Sequence, residues 1–388
     1  MLEDLERSSR LRGPRPAPEH ASTAGPSTCS TAHRLRPLRL VLLAIGAAAL
    51  ALGLWSGLAL IGVTLPGGSP AIAGRHGALM ICGFFGTVIS LERAVALGRR
   101  WAYLAPALSA AGAILLVVPG TEPRAIVAFV AASAVLVVAS GVIFLRQPGF
   151  FAVGLIIAAL AWGIGTLTWL AGRPMPEVIG WWLAFLVLTI AAERLELSRI
   201  TLPPPAAQAA LALAAGLVLL GATRGELSGN AAPLMGFGFA ACAGWLLIYD
   251  VARRTIRQPG QVGFSAACML AGYGWLGVAG LLLLLAFGTA AFAYDAAVHA
   301  VTIGFVLSMV LGHAPIILPA VTGVRISYSA YAYGALAFLQ LSILLRVSAD
   351  FLRWHEARAW SGLLTVFALA SFAFTVVGGS IRRPGPRH

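Results

Sequence analysis

Long apolar stretches, separated by short polar segments, fill almost the whole chain from residue 38 onward. About 20 consecutive apolar residues are enough for a helix to cross the hydrocarbon core of a bilayer. Breaks marked by Pro, Gly and Arg divide the pattern into twelve such stretches. We therefore predict an all-α polytopic membrane helical bundle with spans at residues 38–62, 75–97, 101–118, 125–145, 150–171, 177–195, 206–222, 231–250, 262–286, 293–313, 326–346 and 358–380.

The spans and their short connections predict one transmembrane domain over residues 37–381. Residues 1–36 are polar and rich in Pro, Ser and Arg, which predicts a disordered basic cytoplasmic tail. Residues 382–388 are predicted to form a second, short basic tail.

The composition agrees with a membrane location. Of 388 residues, 59% are hydrophobic and only 11% are charged, whereas about 25% charged residues is usual for a soluble domain. The lipid bilayer is therefore the first partner that we predict. All 27 basic residues are Arg, which excludes a Schiff base on a lysine.

The net charge of +13 would suggest a nucleic-acid partner in a soluble protein. In a membrane protein, basic residues instead concentrate in the cytoplasmic loops and set the orientation. With the N-terminus inside, 20 of the 27 Arg fall on the inner side and 7 on the outer side. We therefore predict cytoplasmic termini and no nucleic-acid partner. The connection 346–358 is the exception, because it places Arg346, Arg353 and Arg358 on the outer side.

A weak internal repeat relates the second, sixth and tenth spans. The second ends with Glu92-Arg93, the sixth ends with Glu193-Arg194 about four spans later, and the tenth ends at His313. This spacing suggests three repeats of four helices. The alternative is that an acid–Arg pair is simply a common way to end a span at the interface.

Two histidines begin different spans on the same predicted side of the membrane. His76 opens the second span and His299 opens the tenth, so both imidazoles are expected at a similar depth. Ionisable residues at membrane depth are rare and usually functional, and two such His can ligate a haem from both sides. Asp295 lies one helical turn before His299 and could fix its tautomer. Arg75 could neutralise a haem propionate. The alternative for each His is a bond to a backbone carbonyl or contact with lipid headgroups.

His313 follows His299 by 14 residues, about 21 Å along a helix, so the two cannot share one site. Pro315 and Pro319 are expected to end or bend the helix there. We predict an inner polar network of His313 with Glu92, Arg93, Glu193 and Arg194, in which His313 pairs with Glu92 or Glu193. Its role is either a proton relay or a structural hydrogen bond.

At these residues the chain resembles the haem–copper oxidase superfamily and its NnrS relatives. The segment 76–84 reads HGALMICGF and resembles their second span; the segments 299–304 (HAVTIG) and 311–313 (LGH) resemble their tenth. The resemblance implies a bacterial-type inner-membrane protein with one haem b between His76 and His299. It also implies redox partner proteins and a role in electron transfer or in a response linked to nitric oxide and denitrification.

The chain departs from the oxidase pattern in its number of histidines. Three membrane His cannot supply both a low-spin haem and a binuclear centre, which disfavours a terminal oxidase or a nitric oxide reductase. A copper ion held by His76, His299 or His313 has no Cys or Met cluster in its favour. The chief alternative is a secondary transporter with twelve spans and no redox cofactor; another is an assembly factor for a redox complex.

Overall fold

The computed structural model describes residues 35–66, 73–198, 203–226, 232–285, 293–324 and 326–381. The predicted tail at 382–388, and nearly all of the tail predicted at 1–36, lie outside the described residues. So does Arg325, one of the residues counted for orientation. Within these ranges, the residues from Leu38 to Ile381 form one compact unit.

In this part of the chain the structure is helical, with no strand, and twelve helices are long and apolar enough to cross a membrane. They are α1 (Arg36–Leu60), α2 (His76–Leu97), α3 (Arg100–Val117), α4 (Glu122–Arg146), α5 (Phe150–Leu170), α6 (Met175–Leu197), α7 (Pro205–Ala222), α8 (Ala232–Tyr249), α9 (Gln261–Leu285), α10 (Ala293–Thr322), α11 (Ala332–Leu352) and α12 (His355–Ile381). The predicted polytopic bundle is thereby confirmed.

The largest departure from the predicted spans is in α10. This helix continues past His313, through Pro315 and Pro319, to Thr322, so the prolines do not end it. Each proline removes one backbone hydrogen bond, a loss that neighbouring helices make tolerable in a membrane bundle. The helix ends at Gly323, whose positive φ of 70° closes the last turn while its N–H donates to the Pro319 carbonyl.

The connection before α12 also differs from the prediction. We expected a span to end at residue 346 and the next to begin at 358, but α11 extends to Leu352 and α12 begins at His355. Arg346 and Arg358 therefore belong to helices, and both are largely buried. Only Arg353 occupies the turn, where its φ is 52°. The apolar pattern stops at the charged residues, whereas the helices continue because those charges have partners.

Two helices are the most buried of the twelve. In their most apolar 18-residue windows, 72% of α2 and 78% of α6 are buried, against 22% for α1 and for α12. α10 is 50% buried in its window and packs against both α2 and α6. These are the three helices that the repeat hypothesis treats as equivalent, and the repeat stays a prediction.

Glycines allow several helices to approach closely. In the contact between α8 and α9, a Cβ added at Gly280 would lie 2.7 Å from both the Gly236 carbonyl oxygen and the Ala240 nitrogen. These are backbone atoms, so they cannot move aside without shifting a helix. Gly274, on the same α9, faces open space instead.

The first prediction tests this packing. Gly280→Ala should lower the free energy of unfolding by about 1–3 kcal/mol, because overpacking a close helix contact forces the backbone to move. The measurement is the midpoint of thermal unfolding of the detergent-purified protein. Gly274→Ala is the matched control and should leave the midpoint unchanged or slightly raised. Equal midpoints for the two variants would contradict the close contact.

Candidate functional site

His76 is oriented by helix α1. Its Nδ1 lies 2.7 Å from the backbone oxygen of Gly53. A carbonyl oxygen can only accept, so Nδ1 carries the hydrogen and Nε2 keeps its lone pair. The ring fits there because Gly57 has no side chain: a Cβ at that position would lie 2.7 Å from the ring.

His299 is held in the same way, but by its own helix. Its Nδ1 lies 2.8 Å from the backbone oxygen of Asp295 and 3.2 Å from the carboxylate oxygen Oδ1 of the same residue. The predicted contact with Asp295 is present, although the backbone oxygen is the nearer acceptor. As in His76, this arrangement leaves Nε2 free to bind a ligand.

Both histidines are followed by a wider helical turn. α2 is π-helical over Leu79–Phe85, and α10 is π-helical over Ala300–Leu307. π-Helical segments inside α-helices occur frequently at functional sites. The sequence contains no pattern from which we could have predicted these two turns.

The two histidines line one cavity of about 310 Å³. Its walls are mainly apolar and come from α1, α2, α6, α10, α11 and α12. Met80 and Ile303 are among its apolar lining residues, and Thr302, Arg346 and Arg358 are among its polar ones. The cavity therefore combines apolar walls with two imidazoles and two cations.

A cluster of four charges lies beside His299. The Asp295 carboxylate accepts hydrogen bonds from Arg346 at 2.5 Å and from Arg358 at 2.7 Å. Asp350, which is fully buried, lies 2.6 Å from Arg358 and 3.3 Å from Arg346. We call Asp295, Arg346, Asp350 and Arg358 the four-charge cluster; its formal charge is zero. Nothing in the sequence indicated this cluster, because both Arg were predicted at the ends of spans, in an outer connection rather than inside the bundle.

Arg75 lies outside this cavity. Its guanidinium donates to the backbone oxygen of Leu116 and lies 3.6 Å from the Glu122 carboxylate. It lines a separate cavity with Glu122 and Leu170. The structure thus does not bring Arg75 to His76 and His299, despite its place next to His76 in sequence. Arg346 and Arg358 are the cations that face the shared cavity.

The residues of the predicted inner network come together at the opposite end of α10. Arg93 pairs with Glu193, which joins α2 to α6. Arg194 lies 2.7 Å from Nε2 of His313, which joins α6 to α10. Glu92 lies within electrostatic reach of Arg93, Glu193 and Arg194.

His313 differs from its prediction in one respect. We expected it to pair with Glu92 or Glu193, but its partner is Arg194. Its Nδ1 lies 2.7 Å from the Met309 backbone oxygen, so Nε2 must accept the hydrogen bond from the guanidinium. The lone pair that a metal would need is therefore already used.

No group of three or more His, Cys, Asp or Glu suited to a metal ion occurs among the described residues. The copper hypothesis gains no support from them. A haem needs only two protein ligands, and His76 and His299 are the two that share a cavity with free Nε2 atoms.

The second prediction concerns the four-charge cluster. Asp295→Asn should leave Arg346 and Arg358 with too little negative charge nearby and lower stability by about 3 kcal/mol, since an uncompensated buried charge is costly. The control is Glu177→Gln, which breaks the pair between Glu177 and Arg173, an arginine that is 59% exposed. That loss should be about 0.5 kcal/mol. Thermal unfolding in detergent measures both; equal losses would contradict a special role for the cluster.

Comparison with known proteins assigns the chain to a family. Comparison with curated proteins finds no match to the chain. A family model described as a domain of unknown function, DUF8744, matches residues 39–381. This range includes nearly all of α1 and the whole of the other eleven helices. The chain therefore belongs to the DUF8744 family.

Proposed function

We propose that this protein binds one haem b in the membrane, and that His76 and His299 are the residues that would hold it. The proposal rests on the hydrogen bonds of the two imidazole rings. Each Nδ1 is bound to a backbone oxygen, and each Nε2 is free beside the same cavity. A hydrogen bond at one ring nitrogen is the usual way in which a protein orients a metal-binding imidazole.

The surroundings of the two rings fit this group. Haem has an apolar macrocycle and two carboxylates, and the cavity offers apolar walls from α1, α2 and α10 together with Arg346 and Arg358. Both guanidiniums could bind a propionate while they remain paired with Asp295. The Nδ1 contact of His299 with Asp295 would in addition fix the orientation of the ring.

Electron transfer is the role that these residues favour. A haem with two imidazole ligands supplies one-electron oxidation and reduction. Because His76 and His299 would take both axial positions, direct binding of a gas such as nitric oxide is disfavoured. A response linked to nitric oxide and denitrification rests on the resemblance to NnrS proteins alone. In the same proposal the protein lies in a bacterial inner membrane, with both termini cytoplasmic, and exchanges electrons with partner proteins.

The third prediction tests the ligands. After expression with ample haem, the detergent-purified protein should show a Soret band and the reduced-minus-oxidised spectrum of a low-spin haem b. His76→Ala and His299→Ala should each abolish this spectrum, because each removes one of two axial ligands. His313→Ala is the control on the same helix as His299 and should keep it, since His313 bonds to Arg194 instead.

Two outcomes would contradict the proposal. The absence of any Soret band in the folded protein would exclude the haem, and a low-spin spectrum that persists in both His76→Ala and His299→Ala would exclude the ligands. Solute uptake into proteoliposomes by protein without a chromophore would favour the secondary transporter.

A further inference from the structure

A second group of polar side chains surrounds Arg194, beyond the residues predicted from the sequence. Asp250 follows the end of α8, and its side chain is only 2% exposed. Tyr273 of α9 is fully buried and interacts with both Asp250 and Arg194. Together with Arg93, Glu193 and His313, these residues connect α2, α6, α9 and α10 with the end of α8. Asp250 and Tyr273 have no role in the proposed haem site.

Several buried polar atoms in this region make no hydrogen bond of good geometry. They are Ser90 Oγ, Arg93 Nε, Arg194 Nε, Asp250 Oδ2 and the Tyr273 hydroxyl. Buried polar atoms nearly always have a partner, and an internal water molecule commonly supplies it. Five such atoms at one end of the bundle therefore indicate that water binds among these side chains.

The two oxygens of Asp250 have different surroundings. Oδ1 accepts a hydrogen bond from the Ala252 backbone N–H at 2.7 Å, whereas Oδ2 has no such partner. The charged and titratable groups near the carboxyl are Arg194 from α6 and Tyr273 from α9, together with Tyr249, Arg253 and Arg254, which line one cavity with Asp250. Arg194 already donates to His313 and contacts the Met269 sulfur, so it is not dedicated to Asp250.

Asp250 also lines a cavity. This cavity is about 460 Å³ and is lined by Pro203, Pro204, Arg253 and Arg254 together with Asp250. Arg253 and Arg254 are exposed, which places the cavity at the surface of the bundle. Asp250 thus stands between a surface cavity and the buried Tyr273.

We propose that Asp250 is a proton-binding site, and that Tyr273 and bound water connect it to the Arg194–His313 pair. The protonated oxygen is Oδ2, which then donates its hydrogen to the Tyr273 hydroxyl oxygen. The proton comes from water in the surface cavity and returns to it. No haem is needed for this exchange, so the proposal stands or falls independently of the axial ligands.

Infrared spectroscopy of the purified full-length protein tests the site, because a protonated carboxyl has a C=O stretching band that a carboxylate lacks. We expect such a band at pH values above the usual carboxyl pKa, shifted in D₂O and lost as the pH is raised further. Asp250→Asn should abolish this component, since the amide keeps an acceptor for the Ala252 N–H but cannot be protonated. Tyr273→Phe should shift the band without abolishing it, because it removes a hydrogen-bond partner.

Two control variants keep the assignment specific. Glu177→Gln alters an exposed ion pair elsewhere and should leave the band unchanged. Glu92→Gln removes another carboxyl near Arg194 and should leave in place the component that Asp250→Asn abolishes. A band lost in Glu92→Gln but retained in Asp250→Asn would overturn the assignment, as would the absence of any such band while circular dichroism shows a folded protein. If Asp250→Asn does not fold, an unshifted band in Tyr273→Phe overturns the proposal.

The pH dependence of stability provides a second measurement and the fourth prediction. Burial raises the pKa of the Asp250 carboxyl above its usual value, against the opposite effects of the Ala252 N–H, Arg194 and Tyr273. The folded state therefore holds this proton more tightly than the unfolded chain. The resulting stability is present below the usual carboxyl pKa and is lost as the pH rises through the raised pKa. We expect the unfolding midpoint to fall over that interval, and Asp250→Asn to remove this component.

Discussion

Charge buried among lipid-facing helices is the constraint on which the rest of the structure depends. An unpaired charge at membrane depth costs several kcal/mol, so each buried guanidinium and carboxylate must find a partner on another helix or a neighbouring turn. Asp295 of α10 meets this requirement with Arg346 of α11 and Arg358 of α12. One carboxylate therefore joins three helices. The same contact holds the backbone of α10 at the turn where His299 is oriented.

The opposite end of the bundle meets the same constraint with different residues. Arg93 and Glu193 join α2 to α6, and Arg194 and His313 join α6 to α10. The two groups differ in how their arginines are paired. Arg346 and Arg358 both donate to the Asp295 carboxylate, whereas Arg194 donates to the uncharged acceptors His313 and the Met269 sulfur. A cavity lined by His76 and His299 lies beside the first group, and we assign the proton site to the second.

Helix α10 contributes His299 to one polar group and His313 to the other. Its close packing against α9 holds both histidines in place. A Cβ at Gly304 would lie 2.5 Å from the Trp275 side chain, and one at Gly312 would lie 3.0 Å from Cys268. Both contacts are with α9, so α10 can lie close against that helix only where its residues are small. The π-helical segment over Ala300–Leu307 lies between these ends and changes which residues face the cavity.

The sequence by itself determined the twelve helices, because a run of about 20 apolar residues defines a span without reference to any distant residue. The sequence also indicated that His76 and His299 form a pair. It predicted one polar network that consists of Glu92, Arg93, Glu193, Arg194 and His313. Only the tertiary structure decided the partners of the charges. Arg346 and Arg358 meet Asp295 across 51 and 63 residues of chain, while Arg75 turns away from its sequence neighbour His76. Hydrophobic pattern is a local property, whereas the compensation of a buried charge depends on which helices become neighbours.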